Sequence, residues 1–358
     1  IPVPHIFGCD LHTVVFGKGQ KLPIHFGIFF CGFKVAGVNN ADLAAGFTSP
    51  DRKNPVTPET LFPVFSVGKA IAVTAIHCLV EKGTLSYSTR LGDVWPEFDC
   101  NGKEHILLWH VLTHRAALFR DPEYAAPEEM ADWQKMCGRI AAMRPEWTPG
   151  TRCQYHPHTF AWLLGEPASR ADGRSFQEIV SAEVIRPLHL ENELFFGTTG
   201  EADLRLASLD CSRVGNYEYD RLMNIPAIRH GFIPSFNGAM TARAIARHYA
   251  ALERKIEGVR LLRPETLANA AITRRADNDP VNPEACWPRF GLGYVTFGPE
   301  DDLSALIGHG GAAGAEGLLD RRRHIALGFT KSKIDPKHPE HPLRDRIARI
   351  LNLPVRHW

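Results

Sequence analysis

The spacing of hydrophobic residues changes twice along the chain. Between Ile24 and Val38, β-branched, aromatic and glycine residues crowd together, which predicts a strand followed by a turn; Ala41 to Phe47 reads as a second strand. Val67 to Lys82 is apolar nearly all round, predicting a helix buried on several sides and ended by Gly83 at the usual left-handed position. From about residue 85 to 280 the pattern is mainly helical and broken by prolines. It predicts helices over Trp109–Thr113, Glu128–Met143, Thr159–Ala171, Ser175–Ile185 and Thr241–Leu252. Strands return at Gly291–Phe297, Leu303–Gly308, Glu316–Asp320 and His324–Thr330, before a last helix over roughly Pro342–Leu351.

Strands at both ends with helices between them predict an α+β architecture. The economical solution is one antiparallel sheet made from both chain ends, flanked by helices and carrying a helical insertion. Residues 1–65 and 285–358 would supply the sheet-containing part and 66–284 the mainly helical part, together one catalytic unit. A cleft at their junction would collect side chains from all three sections. No internal repeat or low-complexity tract interrupts this plan.

Composition changes the picture little. The 358 residues are 44% hydrophobic and 23% charged, as in a soluble globular protein, and the formal net charge of +1 argues for neither a nucleic-acid nor an anionic-membrane partner. No apolar stretch reaches membrane-spanning length. The basic run Arg321-Arg322-Arg323 reads as a solvated turn between strands. Eight cysteines are scattered without any Cys-x-x-Cys, so a reduced, cytoplasmic protein is expected; the start at Ile1, with neither Met nor signal-peptide pattern, leaves secretion open.

Chemistry concentrates at the start of the long apolar helix. In Ser66-Val67-Gly68-Lys69, three-residue spacing on a helix brings hydroxyl and amine to one face. A serine hydroxyl needs a base to become a nucleophile, and a lysine serves only when desolvation lowers its pKa. Phe62, Val64, Phe65 and Ile71 could supply that desolvation. The helix N-terminus favours developing negative charge by about 0.3–1 kcal/mol. Alone, the two residues fit a serine helix cap beside a surface lysine better, since a pattern with two fixed residues arises often by chance.

Neighbouring segments decide between these readings. Val56 to Phe65 runs into Ser66, followed by Ile106 to Arg115, by Pro149-Gly150-Thr151-Arg152-Cys153-Gln154-Tyr155-His156, by Trp162-Leu163-Leu164-Gly165-Glu166 and by Gly308-His309-Gly310-Gly311-Ala312-Ala313-Gly314. In order and spacing, from about Ile24 to Leu351, this succession resembles the serine β-lactamase-like superfamily of class C β-lactamases, D-alanyl-D-alanine peptidases, family VIII carboxylesterases and transacylases. The resemblance implies the β-lactamase/penicillin-binding-protein-like fold. It also implies Ser66 as nucleophile, Lys69 as general base and Tyr155 as proton shuttle, its phenol lowered by a neighbouring ammonium. His309, Gly310 and Gly311 would form the substrate-binding edge, and the N–H groups of Ser66 and Ala312 the oxyanion hole, each donor contributing about 2.7–4 kcal/mol.

Two departures matter. The family's Lys-Thr-Gly becomes His309-Gly310-Gly311, replacing a fixed cation with a group of ordinary pKa about 6.5. Its Tyr-x-Asn becomes Tyr155-His156-Pro157, losing an amide. Both weaken a β-lactam or D-alanyl peptide reading and favour esterase and transacylase chemistry. A small-molecule ester, or another acyl donor, is the expected partner, with hydrolysis expected first and transfer to an alcohol or amine acceptor, as in natural-product metabolism, second. A catalytically idle binding protein is the third reading.

Other candidates carry less. Val64 stands where a Gly-x-Ser-x-Gly elbow needs glycine, which argues against an α/β-hydrolase, and no phosphate-binding loop is present. His156-Pro157-His158 lacks acidic or cysteine ligands at a matching spacing, so no metal and no cofactor is expected. His110 and His114 read as structural. His156, Phe236, Asn237 and Trp287, with Phe290 beside the last, are candidate pocket-wall residues.

Overall fold

The computed structural model describes residues 13–16, 20–23, 26–35, 38–123, 126–211, 218–274, 289–299 and 301–334. Trp287, the 284/285 boundary and the expected last helix lie outside these residues.

The N-terminal part supplies four strands: β1 (Thr13–Phe16), β2 (Gln20–Pro23), β3 (Phe26–Val35) and β4 (Val38–Ala45). Three short strands follow, β5 (Phe62–Pro63), β6 (Leu194–Phe196) and β7 (Gly238–Met240). The C-terminal part supplies β8 (Arg289–Phe290), β9 (Val295–Thr296), β10 (Leu306–Gly310), β11 (Glu316–Asp320) and β12 (Ile325–Lys331). The main sheet runs β4-β3-β12-β11-β10-β9-β8, antiparallel throughout. The β3–β12 ladder, from Phe26↔Lys331 to Gly32↔Ile325, joins the two ends of the chain. Strands β1 and β2 pair separately, and β5-β7-β6 form a small third sheet.

α1 (Val67–Glu81) is buried from Val67 through Leu79, as its all-round apolar pattern requires. It packs on the Phe160–Asp172 helix and on β10. The Ala242–Glu253 helix, capped by the Thr241 hydroxyl accepting from Ala244 N–H at 3.0 Å, packs on β3, β11 and β12. This helix belongs to the central stretch of sequence, yet it covers the sheet. One large core cluster joins α1, the Phe160–Asp172 helix and inward residues of β10, β11 and β12.

Several boundaries differ from expectation for local reasons. Residues 303–305 turn rather than extend, and the strand starts at Leu306; the Ser304 hydroxyl donates to the Asp302 carboxylate at 2.6 Å, offering the backbone a local alternative to the ladder. The Gly291–Phe297 strand is instead a hairpin of β8 and β9. Asp132 accepts from Lys135 N–H and starts a helix at Trp133, which splits the expected Glu128–Met143 helix. The basic run is the β11–β12 turn, where Arg322 pairs with Asp301 and Asp302.

Candidate active site

The small β5-β7-β6 sheet aims the nucleophile candidate. Phe62↔Met240 and Pro63↔Ala239 fix the register, and Val64 N–H donates to Gly238 O at 2.8 Å. Phe65 then takes φ +47°, a left-handed conformation costing roughly 1–2 kcal/mol for a residue with a side chain, before the chain enters α1 at Ser66. Gly68 lets the first turn lie close to its neighbours: a Cβ there would come within 2.4 Å of Pro234 O and 2.6 Å of the Phe196 ring. The same register carries Ser235, three residues before β7, up to the first turn of α1.

Ser66 is no side-chain cap: its hydroxyl accepts no N–H from the helix. Instead the Tyr155 hydroxyl donates to Ser66 Oγ at 2.8 Å, and Lys69 Nζ lies 3.1 Å from the same oxygen. Lys69, at 0% exposure, is as buried as the core residues around it. Its amine also donates to Pro157 O at 2.6 Å and Ser235 O at 2.7 Å. Desolvation holds its pKa well below the ordinary 10.5, opposed by the Asp121 carboxylate. A neutral amine has two N–H groups and one lone pair. With both N–H groups given to carbonyls, the lone pair is left for the Ser66 hydroxyl proton. Tyr155 O–H to Ser66 O–H to the Lys69 lone pair is one self-consistent proton arrangement.

Tyr155 departs from expectation. Burial pushes its phenol above the ordinary 10.0, and the Ser66 hydrogen bond offsets this only in part. The lowering expected from an ammonium fails because burial disfavours the ammonium as well, and the Lys69 nitrogen lies over the ring face, 5.0 Å from its centroid. Tyr155 is therefore a hydroxyl donor around neutral pH.

The 150–159 segment is stitched to residues 114–118. Gly150 N–H donates to Arg115 O, Gln154 N–H to His114 O, His156 N–H to His114 Nδ1 and Leu118 N–H to His156 Nε2. His114 and His156 therefore hold the backbone in place. His156 is not a pocket wall: it is 0% exposed, its Nδ1–H donates to Gln154 O, and burial lowers its pKa to about 3. Asn237 is likewise spent inside, accepting from Ile233 N–H and donating to Ile228 O and Gly231 O, which closes the loop before β7. Phe236 stands behind the site, its ring against Phe65, Tyr219 and His158.

On the far rim, β10 ends at Gly310, and Gly311 permits contact with the nucleophile segment: a Cβ there would lie 2.1 Å from Val64 O. Ala312 is exposed at this rim. Among the described residues the Ser66 N–H has no acceptor, whereas those of Val67, Gly68 and Lys69 turn back to Val64 O, Phe65 O and Ser66 O, and this leaves the Ser66 N–H available to an oxyanion. His309 is 4% exposed and its Nδ1–H donates to Gly310 O at 2.8 Å. Burial and the nearby Lys69 lower its pKa to about 3, so it carries no charge near neutrality.

Sequence reasoning missed four contributors. Pro157 and Ser235 act through main-chain oxygens, which leave no side-chain signature. Tyr219, whose ring packs on Phe65 and Phe236 from the short Glu218–Met223 helix, and Asp121, which among the described residues supplies the opposite charge acting on Lys69, stand in no motif. A cavity of about 570 Å³ lined by Trp133, Glu166, Phe176 and Phe232 touches none of the site residues. Among the described residues no cluster of three or more His, Cys, Asp or Glu could hold a metal, and no helix is long and apolar enough to cross a membrane.

A partly exposed serine, a buried lysine and a phenol around one oxygen are the equipment of a serine hydrolase. The chain belongs to the β-lactamase family, whose family model matches residues 32–352, and shares its α+β fold of helices and antiparallel sheet. An esterase/β-lactamase of Mycobacterium tuberculosis, LipL, is 27% identical over 302 residues, covering 76% of this chain and 69% of its own. A family VIII carboxylesterase structure superposes with TM-score 0.76 at 24% identity, covering 87% of each chain. A penicillin-binding protein homologue from Caulobacter crescentus superposes with TM-score 0.74 at 28% identity, also covering 87% of each.

Proposed function

We propose that this chain is a carboxylesterase that hydrolyses a small-molecule ester through an acyl-enzyme on Ser66. The observation that carries the reading is Ser66 Oγ within 3.1 Å of the Lys69 amine and 2.8 Å of the Tyr155 hydroxyl, with the amine's other hydrogen bonds going to carbonyls. Lys69 takes the Ser66 proton as Oγ attacks the ester carbonyl carbon. The tetrahedral oxyanion is held by the N–H groups of Ser66 and Ala312. Its collapse breaks the bond to the alkoxy group, which leaves as alcohol with a proton from Tyr155; Tyr155 regains one from the Lys69 ammonium through the site. Water then attacks the acyl carbon, giving its proton to the neutral Lys69 amine; collapse of this second intermediate breaks the acyl bond to Ser66 Oγ, which takes that proton back from Lys69, and the acid and free Ser66 are released.

The neutral His309 favours this substrate class. Without a fixed cation at this edge, a free carboxylate finds no charge partner, so β-lactams and D-alanyl peptides are poorer substrates than uncharged esters. LipL is named both an esterase and a β-lactamase, and the first of these is in keeping with ester substrates. A transacylase reading has one observation in its favour: Phe65, next to the nucleophile, packs with Tyr219 and Phe236 into an aromatic wall behind Ser66, an apolar surface that helps an alcohol or amine acceptor compete with water.

Intact-mass analysis after brief exposure to p-nitrophenyl esters of several chain lengths tests the proposal. An acyl adduct on the peptide carrying Ser66 is expected. Turnover without an adduct, unchanged in Ser66→Ala, would overturn it. Product analysis with and without added alcohols and amines separates hydrolysis from transfer.

A further inference from the structure

We propose that Asp121 and His158 are positioning residues for the Ser66–Lys69 pair, acting by fixing the two main-chain carbonyls that hold the lysine amine. The inference rests on the acyl-enzyme reading above and deepens it by naming what keeps the base in place.

The contacts form a closed ring. Lys69 Nζ donates to Pro157 O; the next residue, His158, accepts at its own carbonyl from the Ser235 hydroxyl at 2.8 Å; and Ser235 O accepts from Lys69 Nζ. The ring thus runs through one peptide link, Pro157–His158, and one residue, Ser235. Its outer anchor is the His158 side chain, whose Nδ1–H donates to Asp121 Oδ2 at 2.7 Å. The imidazole is also packed edge-on against Phe236 and Tyr219, with centroids 5.1 and 6.1 Å away, so its orientation is fixed on two further sides.

Such an anchor answers a specific need. Pro157 carries no polar side-chain group, so at this position the segment meets the lysine amine through a main-chain carbonyl. A side chain can adjust its rotamer to follow the amine, whereas a carbonyl is placed only as well as its segment is placed. With two carbonyls holding the N–H groups, a shift of the 157–158 peptide turns the amine lone pair away from Ser66. Misplacement by about 1 Å can cost about a hundredfold in rate.

The titratable groups facing the Lys69 amine come from three segments. They are Tyr155 and His156 from the 150–159 stretch, His114 and Asp121 from the 114–121 stretch, and His309 from β10. Burial keeps the three histidines neutral and the phenol protonated near neutral pH. Among the described residues Asp121 therefore supplies the opposing charge, and the anchor also tunes the base.

The test is the rate of Ser66 acylation by p-nitrophenyl acetate across pH, followed by intact mass and beside thermal unfolding. Variants are Asp121→Ala, His158→Ala and Asp121→Asn in the full chain. The two alanine variants should acylate about 10–100-fold more slowly with KM within about threefold of the parent. Asp121→Asn keeps an oxygen that can accept from His158, so its loss should stay under about fivefold while its acid limb moves to lower pH, the ammonium having lost its favourable charge. Alanine variants within about twofold of a parent that is still labelled on Ser66 would overturn the inference. If the alanine variants do not fold, an unmoved acid limb in Asp121→Asn overturns it. A parent not labelled on Ser66 instead removes the acyl-enzyme reading itself.

Discussion

One helix carries two buried polar clusters, and they behave differently. At the front of α1, Ser66 and Lys69 meet Tyr155; about 12 Å along, at 1.5 Å per residue, Thr74 meets His248 and Tyr294, each at 2.7 Å. His77, one turn further, bonds the Tyr87 hydroxyl and Leu292 O. Burial lowers the pKa of Lys69 and of both histidines, His77 to about 4 and His248 to about 3. A shifted pKa therefore does not distinguish reactive from structural groups here. What differs is the disposition of hydrogen bonds and of access. The Thr74 hydroxyl is committed between Ala70 O and its two neighbours and is fully buried, whereas Ser66 is partly open and faces a base whose remaining valence points at it.

The sharpest way to break that contrast is at the nucleophile. Ser66→Ala should lower ester hydrolysis by about 10⁴-fold or more and abolish the mass adduct, measured with p-nitrophenyl esters. Lys69→Met should cost about 10³-fold and flatten the acid limb of the pH–rate profile. In the parent, kcat/KM should rise as pH rises through the depressed pKa of Lys69 and then level, since the neutral amine is the active form. Stability should show the same sign. The unfolded lysine binds a proton up to about pH 10.5 and the folded one does not, so folding gains as pH rises between these two values, a slope that Lys69→Met removes.

Gly311→Ala presses a methyl group against Val64 O and should slow turnover by about a hundredfold through misplacement of the rim relative to Ser66, read as a kcat effect. Smaller again is His309→Lys. A fixed charge at this edge should raise nitrocefin hydrolysis by about tenfold, the worth of roughly one charge-assisted hydrogen bond, while uncharged esters gain nothing. Rapid nitrocefin turnover by the parent would contradict the account of His309. Least for catalysis and most for the second cluster, Thr74→Val should leave kcat within about twofold yet cost about 1–3 kcal/mol of stability by stranding the His248 and Tyr294 partners, measured by denaturant unfolding. A large kcat loss there would erase the distinction between the clusters.

How much was readable beforehand follows the same division. The apolar run 67–82 announced a buried helix, and the strands at both chain ends announced the sheet, because periodicity and burial are local consequences of side-chain type. Ser66, Lys69 and Tyr155 were legible through the order and spacing of several segments rather than through any one motif, and the fold brings the three side chains together. The failures are also local in origin: Asp132 and Ser304 redirected the backbone through short hydrogen bonds that no hydrophobic pattern registers.

The sequence alone determined which residue types are available at the helix start, how far apart they stand on one face, and that no fixed cation occupies position 309. Only the tertiary structure decided their protonation and aim. The pKa shifts of Lys69 and Tyr155 depend on how many atoms from distant segments exclude water, and the direction of the lysine lone pair on two carbonyls 88 and 166 residues away. Desolvation and hydrogen-bond direction are properties of the assembled neighbourhood, so they exist only once the chain has folded.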